Sequence, residues 1–206
     1  MSRIQKESRR RFLTPEFPVG VSARHVHLSA GDLERLFGPG YALTPDKPLS
    51  QPGQFSSRET VEVHGPKGVF PKVRILGPIR RQTQVEISRS DAFVLGLDPP
   101  IRDSGALAGS PGARLVGPAG EVIIPAGVIV AQRHLHLHTD DARMLGLKDR
   151  DLISVRLAGP RALIFQNVLV RVADNFAMDL HLDTDEANAA GAKNGDRAYL
   201  IDLQSI

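Results

Sequence analysis

The feature that most constrains this sequence is a local frame that occurs four times. Gly20-Val-Ser-Ala-Arg-His-Val-His-Leu-Ser29 and Val130-Ala-Gln-Arg-His-Leu-His-Leu-His138 both read Arg-His-apolar-His-Leu. Each precedes a short apolar helix pattern that ends in glycine, Gly38 and Gly146. Val85-Glu86-Ile87-Ser88, running to Gly96, and Leu180-His181-Leu182-Asp183, running to Gly191, repeat the frame more weakly. In every copy an alternating strand delivers a polar residue: His27, Glu86, His136 or His181. Two positions later comes Ser29, Ser88, His138 or Asp183, and three further on an acid: Asp32, Asp91, Asp141 or Glu186. Such self-similarity implies a duplicated chain. Ser-x-x-Asp is close to a capping box, so Ser29 and Ser88 are expected as helix N-caps. The terminal glycines suit left-handed helix stops.

Short strands account for the rest. Residues 60–63, 69–76, 114–116, 121–124, 152–157, 163–172 and 197–201 are apolar or alternating, and Gly/Pro turns separate them. The expected fold is mainly β: two small β-barrels from an internal duplication, with short capping helices. The expected division is a disordered basic tail at 1–16, a first barrel half at 17–125 and a second at 126–206.

Charge placement excludes some functions. The net charge is +3, and the first twelve residues, with five basic groups and one acid, hold more than all of it. The near-neutral remainder argues against a nucleic-acid partner. No cysteine is present, which removes disulfides, thiolate metal sites and a cysteine nucleophile. No apolar run approaches the roughly 20 residues of a membrane helix. Ser8 to Leu13 resembles a twin-arginine signal but no apolar region follows, so a cytoplasmic location is expected.

His25 and His27 lie two apart, as do His134 and His136. On a strand, residues i and i+2 share a face, so each pair can reach one ion. The repeat supplies the third ligands: Glu86 for His25 and His27, His181 for His134 and His136. Two open sites follow, His₂Glu and His₃, suited to zinc or another divalent ion. His64 reads as a surface residue and His138 as a structural cap. Arg80 and Arg81, just upstream of Glu86, could hold phosphate through paired hydrogen bonds or be solvated charges. The segments 103–105 and 109–112 read as ordinary Gly/Ser loops rather than an anion cradle.

Several runs resemble the PduL-type phosphotransacylases, also called phosphate propanoyltransferases. They are Arg24-His-Val-His-Leu-Ser29, Leu49-Ser-Gln-Pro-Gly-Gln-Phe55, the stretch from Arg74 to Ser88, Arg102-Asp-Ser-Gly105, Ala108-Gly-Ser-Pro-Gly112, Arg133-His-Leu-His136 and the stretch from Asp183 to Gly191. The resemblance runs from about Pro18 to the C-terminus. It implies a phosphate acyltransferase that interconverts acyl-CoA (propanoyl or acetyl) plus phosphate with acyl phosphate plus CoA, by direct transfer at a two-zinc site. It implies two Zn²⁺ per chain on the six ligands above, and Arg80 as the catalytic phosphate contact. For coenzyme A it points to Val21, Ser22, Ala23, Lys67, Arg74 and Asn188. It further implies a link to 1,2-propanediol degradation and bacterial microcompartments, and leaves homo-oligomerisation and packaging open, since residues before Pro18 are poorly amphipathic. A zinc hydrolase and a non-catalytic barrel are the competing classes.

Overall fold

The computed structural model describes residues 15–201. Its residues group into two compact units. One comprises the described residues up to Val21, Arg133–Leu182 and those from Glu186 onward; the other comprises Ser22–Gln132 and Asp183–Asp185. The sequence divides the chain after residue 125. In space β1 (Glu16–Ser22) joins the strands of the second half, and β10 (Val128–Ala131) joins those of the first. Glu16, the last residue of the expected tail, begins β1; residues 1–14 lie outside the described part.

The unit containing β1 is a closed barrel. Its other strands are β11 (His134–Leu137), β12 (Leu152–Leu157), β13 (Leu163–Val172), β14 (Asp179–Asp183) and β15 (Arg197–Ile201). They close in the order β1-β14-β11-β13-β12-β15, with β15 returning antiparallel to β1 through Phe17 opposite Ala198. Alternation fills the interior: Phe17, Val19, Leu135, Leu137, Val155, Val170, Leu180 and Leu182 are buried together. Each such side chain, taken fully out of water, contributes about 1.5–3 kcal/mol.

The other unit is a nine-stranded half-barrel. It comprises β2 (His25–His27), β3 (Pro45–Pro48), β4 (Phe55–His64), β5 (Val69–Gly77), β6 (Gln84–Glu86), β7 (Ile101–Arg102), β8 (Ala113–Val116), β9 (Glu121–Ile124) and β10. The order is β7-β10-β6-β2-β5-β4-β8-β9, with β3 attached to β4. Along β4, Val61 and Val63 enter a core shared with Val26, Ile75, Val85 and Leu115, while Arg58, Thr60 and Glu62 point away from it. The mainly β architecture with short helices is therefore as expected, and the ends of β9, β12, β13 and β15 coincide with the sequence reading.

Four helices follow the four frame strands: α1 (Ala30–Phe37) after β2, α2 (Arg89–Leu95) after β6, α3 (Thr139–Leu145) after β11 and α4 (Thr184–Ala190) after β14. Ser29 Oγ accepts from Asp32 N, and Ser88 completes a full capping box with Asp91. His138 caps α3 by accepting from Asp140 N, the structural role expected of it. Gly96 and Gly146 stop their helices in the left-handed conformation, and Gly191 has φ +65°. Gly38 differs: at φ +107° and ψ 160° the chain leaves α1 extended, with Gly38 N donating to Glu34 O. None of the described helices is long and apolar enough to cross a membrane.

Candidate metal centres

The first donor set stands on neighbouring antiparallel strands. β2 pairs with β6 so that His25 lies opposite Glu86. Val26 and Val85, between the polar residues, face the core, so His25, His27 and Glu86 share the other side of the sheet. His25 Nε2 is 3.5 Å from Glu86 Oε2, and His27 Nε2 is 3.7 Å from Glu86 Oε1. All three residues are buried. His25 Nδ1 faces the carbonyl of Ala23 at 2.8 Å and His27 Nδ1 that of Leu76 at 3.3 Å. A proton on each Nδ1 satisfies these carbonyls and leaves Nε2, turned toward Glu86, as the nitrogen that would meet a cation.

The second set repeats this geometry in the closed barrel. β11 pairs with β14 so that His134 lies opposite His181. β2 also runs parallel to β5, and β11 parallel to β13, so the duplication extends to a third strand. His134 Nε2 and His136 Nε2 approach to 3.1 Å, and the His181 ring centre is 5.0 Å from each of the other two. Within each set the ligand atoms lie within 4.8 Å of one another. Two facing imidazole nitrogens can share at most one proton, and His136 Nδ1 is buried with no hydrogen-bond partner. Asp179, two residues before His181 on the same strand face, stands 2.9 Å from His181 Nε2 and fixes that ring.

Electrostatics favours neutral imidazoles at two positions. Burial, reinforced by His25, pushes the His27 pKa down to about 3. Burial, reinforced by His134 and His181, takes His136 to about 2. Burial also works against charge on His25, but the carboxylate of Glu86 outweighs it and the His25 pKa rises. Burial would raise Glu86, yet the charge and hydrogen bond of His25 hold it well below the usual carboxylate range. A cation entering this set replaces a proton.

The remaining expected residues have varied settings. Arg80 follows directly on the first set: its N donates to Leu28 O at 2.8 Å, and its charge is felt by both His25 and His27. Arg81 is exposed. Arg74 lies opposite His25 in register, and its Nη1 donates to the carbonyls of Ser57 and Arg58. Lys67 is exposed, its stem over Gly96. Val21 N donates to Asn194 Oδ1 at 2.6 Å, Ser22 is half-buried, and Ala23 and Asn188 are exposed. His64 holds Glu62 and Arg114 at the end of β4, away from either set. Sequence reasoning missed Asp179, although its i, i+2 relation to His181 was available. It also missed Ser104, whose Oγ donates to Glu86 Oε1 at 2.8 Å.

The fold and site thus define a duplicated β-barrel protein with two buried histidine-rich donor sets suited to a divalent metal. A sequence model of the phosphate propanoyltransferase family matches residues 18–193, and the chain belongs to that family. It is 55% identical to the phosphate propanoyltransferase of Thermotoga maritima over 190 residues, covering 92% of this chain and 90% of the relative. To that of Salmonella typhimurium it is 53% identical over 178 residues, 86% and 84% of the two chains. To that of Citrobacter koseri it is 49% identical over 197 residues, 95% and 91%.

Proposed function

We propose that this chain is a zinc-dependent phosphate acyltransferase interconverting acyl-CoA plus phosphate with acyl phosphate plus CoA, the acyl group being propanoyl or acetyl. Family membership supports acyl transfer involving phosphate. The observation that carries the metal assignment is the spacing of the two buried donor sets. Donors on a tetrahedral zinc at ~2.1 Å stand ~3.4 Å apart. The separations here are 3.1, 3.5 and 3.7 Å, between nitrogen and oxygen donors that suit zinc. An ion bound there would supply Lewis acidity, polarising the thioester carbonyl and favouring the departing thiolate.

The chain's own residues position the reactants. Arg80 presents a planar fork that can hold two oxygens of phosphate. Val21, Ser22, Ala23, Lys67, Arg74 and Asn188 take coenzyme A, Arg74 from a guanidinium already braced on two carbonyls. A phosphate oxygen bonds to the acyl carbon, the carbon–sulfur bond breaks, and the thiolate departs. Transfer is direct in this reading, with no cysteine to serve as nucleophile, and holding the two reactants in line supplies most of the advantage. The same reading extends to 1,2-propanediol degradation and a bacterial microcompartment setting.

Incubation with propanoyl-CoA or acetyl-CoA, with and without phosphate, tests this by following free thiol. Phosphate-dependent release is expected, from protein holding close to two zinc ions per chain by elemental analysis. Release that ignores phosphate would mean a hydrolase, no release a non-catalytic barrel, and full activity without metal would end the zinc assignment.

A further inference from the structure

Ser104 sits in a loop that the sequence marks only as rich in glycine and serine. Its hydroxyl has three partners. It donates to Glu86 Oε1 at 2.8 Å, and accepts from Arg80 Nη1 at 3.0 Å and Gln84 Nε2 at 2.9 Å. A hydroxyl carries one donor and two acceptor lone pairs, so this one is used in full. Gln84 is itself buried; its amide also donates to Glu86 Oε1, and its carbonyl oxygen accepts from Gly105 N at 2.8 Å. The loop and the β6 strand therefore fix the hydroxyl from both sides.

We propose that Ser104 is a positioning residue for Arg80: through its hydroxyl the guanidinium is joined to the carboxylate of Glu86, so that the phosphate-binding fork and the metal-ligand carboxylate are held as one body. This rests on the reading of Arg80 as the phosphate contact. A free arginine side chain has many rotamers, and ordering it on binding costs affinity; a partner that orders it beforehand removes that cost. Ser104 is thereby a support rather than an acyl acceptor, because neither lone pair is left for a carbonyl carbon.

The test is a set of variants in the zinc-loaded protein: Ser104→Ala, Ser104→Thr, Arg80→Lys and the double variant Ser104→Ala/Arg80→Lys. Steady-state kinetics are read separately for each substrate, beside zinc content and melting temperature. Ser104→Ala should raise the KM for phosphate about tenfold, as expected for one lost hydrogen bond to a charged group, and leave the KM for acyl-CoA within about twofold. Threonine keeps the hydroxyl and should restore most of the loss. In the double variant, removing Ser104 should add little to Arg80→Lys, because it acts through that residue. Phosphate affinity read by calorimetry, without turnover, should follow the same order. Equal effects on both substrates, or full additivity with Arg80→Lys, would overturn the proposal. A wild-type chain without phosphate-dependent thiol release would instead overturn the parent reading of Arg80.

Discussion

Arg24 grips Asp91 with two donors on one oxygen: Nη2 at 2.6 Å and Nε at 3.0 Å from Oδ1. Asp91 is the capping acid of α2, the helix that follows Glu86. The duplicate obeys the same rule, for Arg133 Nη1 lies 2.6 Å from Glu186 Oε1, and Glu186 is the frame acid after His181. In both units the arginine that precedes the first ligand histidine holds the helix start that follows the third ligand. The pair is a tie across the two strands that carry the donors.

Arg24→Ala should therefore loosen the first donor set. Asp91 is buried, and leaving its carboxylate without the guanidinium costs about 1–3 kcal/mol, toward the low end because Arg24 is itself 42% exposed. At the size of this chain, that lowers the melting temperature by about 2–4 °C per kcal/mol. Calorimetry checks the stability, and zinc content of the purified variant checks the coupling to the donors. Arg24→Lys should recover only part, since one ammonium cannot reproduce both contacts.

Gly20→Ala probes the other set without touching a ligand. A Cβ at Gly20 would lie 2.8 Å from Asp179 Oδ2 and 3.1 Å from His181 Cδ2. The carboxylate and ring must both shift. Zinc per chain should fall from about two toward about one, with far-ultraviolet circular dichroism unchanged. Retention of both ions would show that His181 is less tightly placed than its Asp179 contact implies.

Glu59 gives a prediction about acid stability. Its carboxylate accepts from Thr44 N at 3.1 Å and from the Tyr41 hydroxyl at 3.0 Å. Burial alone would raise its pKa, but hydrogen bonds, that of the Thr44 side chain first and then those of the backbone and the Tyr41 hydroxyl, hold it below the ordinary 4.5. A carboxyl group depressed on folding stabilises the native state above its unfolded pKa. That contribution is lost as the pH falls from about 4.5 through the folded value. Melts of wild type and Glu59→Gln should differ most near pH 7 and converge only once the pH has fallen below the folded value.

Arg80→Lys tests how phosphate is held. Lysine keeps the charge and loses the fork. Losing one charge-assisted hydrogen bond, about 1.5–3 kcal/mol, lowers kcat/KM for phosphate roughly ten- to hundredfold. The KM for acyl-CoA should move much less, and zinc content not at all. A change confined to the acyl-CoA term would assign Arg80 to the coenzyme and make Arg81 the better candidate for phosphate.

What could be read from the chain beforehand was what repeats or alternates. The His-x-His pairs and the frame positions of Glu86 and His181 lead to two donor sets because each lies at the same step of a recurring strand and cap. The edges of β12 and β13 follow from apolar runs bounded by turn residues. What could not be read is decided by partners far along the chain. Nothing near Ser104 in sequence indicates Glu86 or Arg80, and nothing near Arg24 indicates Asp91. β3 escaped because Pro45 and Pro48 suppress a strand signal that an edge position tolerates. β1 was hidden because its pairing strand stands at the opposite end of the chain.

That last pairing has a consequence for biosynthesis. Phe17 meets Ala198 only after nearly all the intervening chain has been made. Translation adds about 5–20 residues per second, so the apolar face of β1 waits on the order of 10–40 s for its partner strand. During that interval the half-barrel, whose strands are contiguous from His25 to Ala131, can assemble while the first strand of the other barrel stays unclosed. An exposed strand edge in that window is open to pairing with another chain, and β15 acts as the latch that ends the exposure.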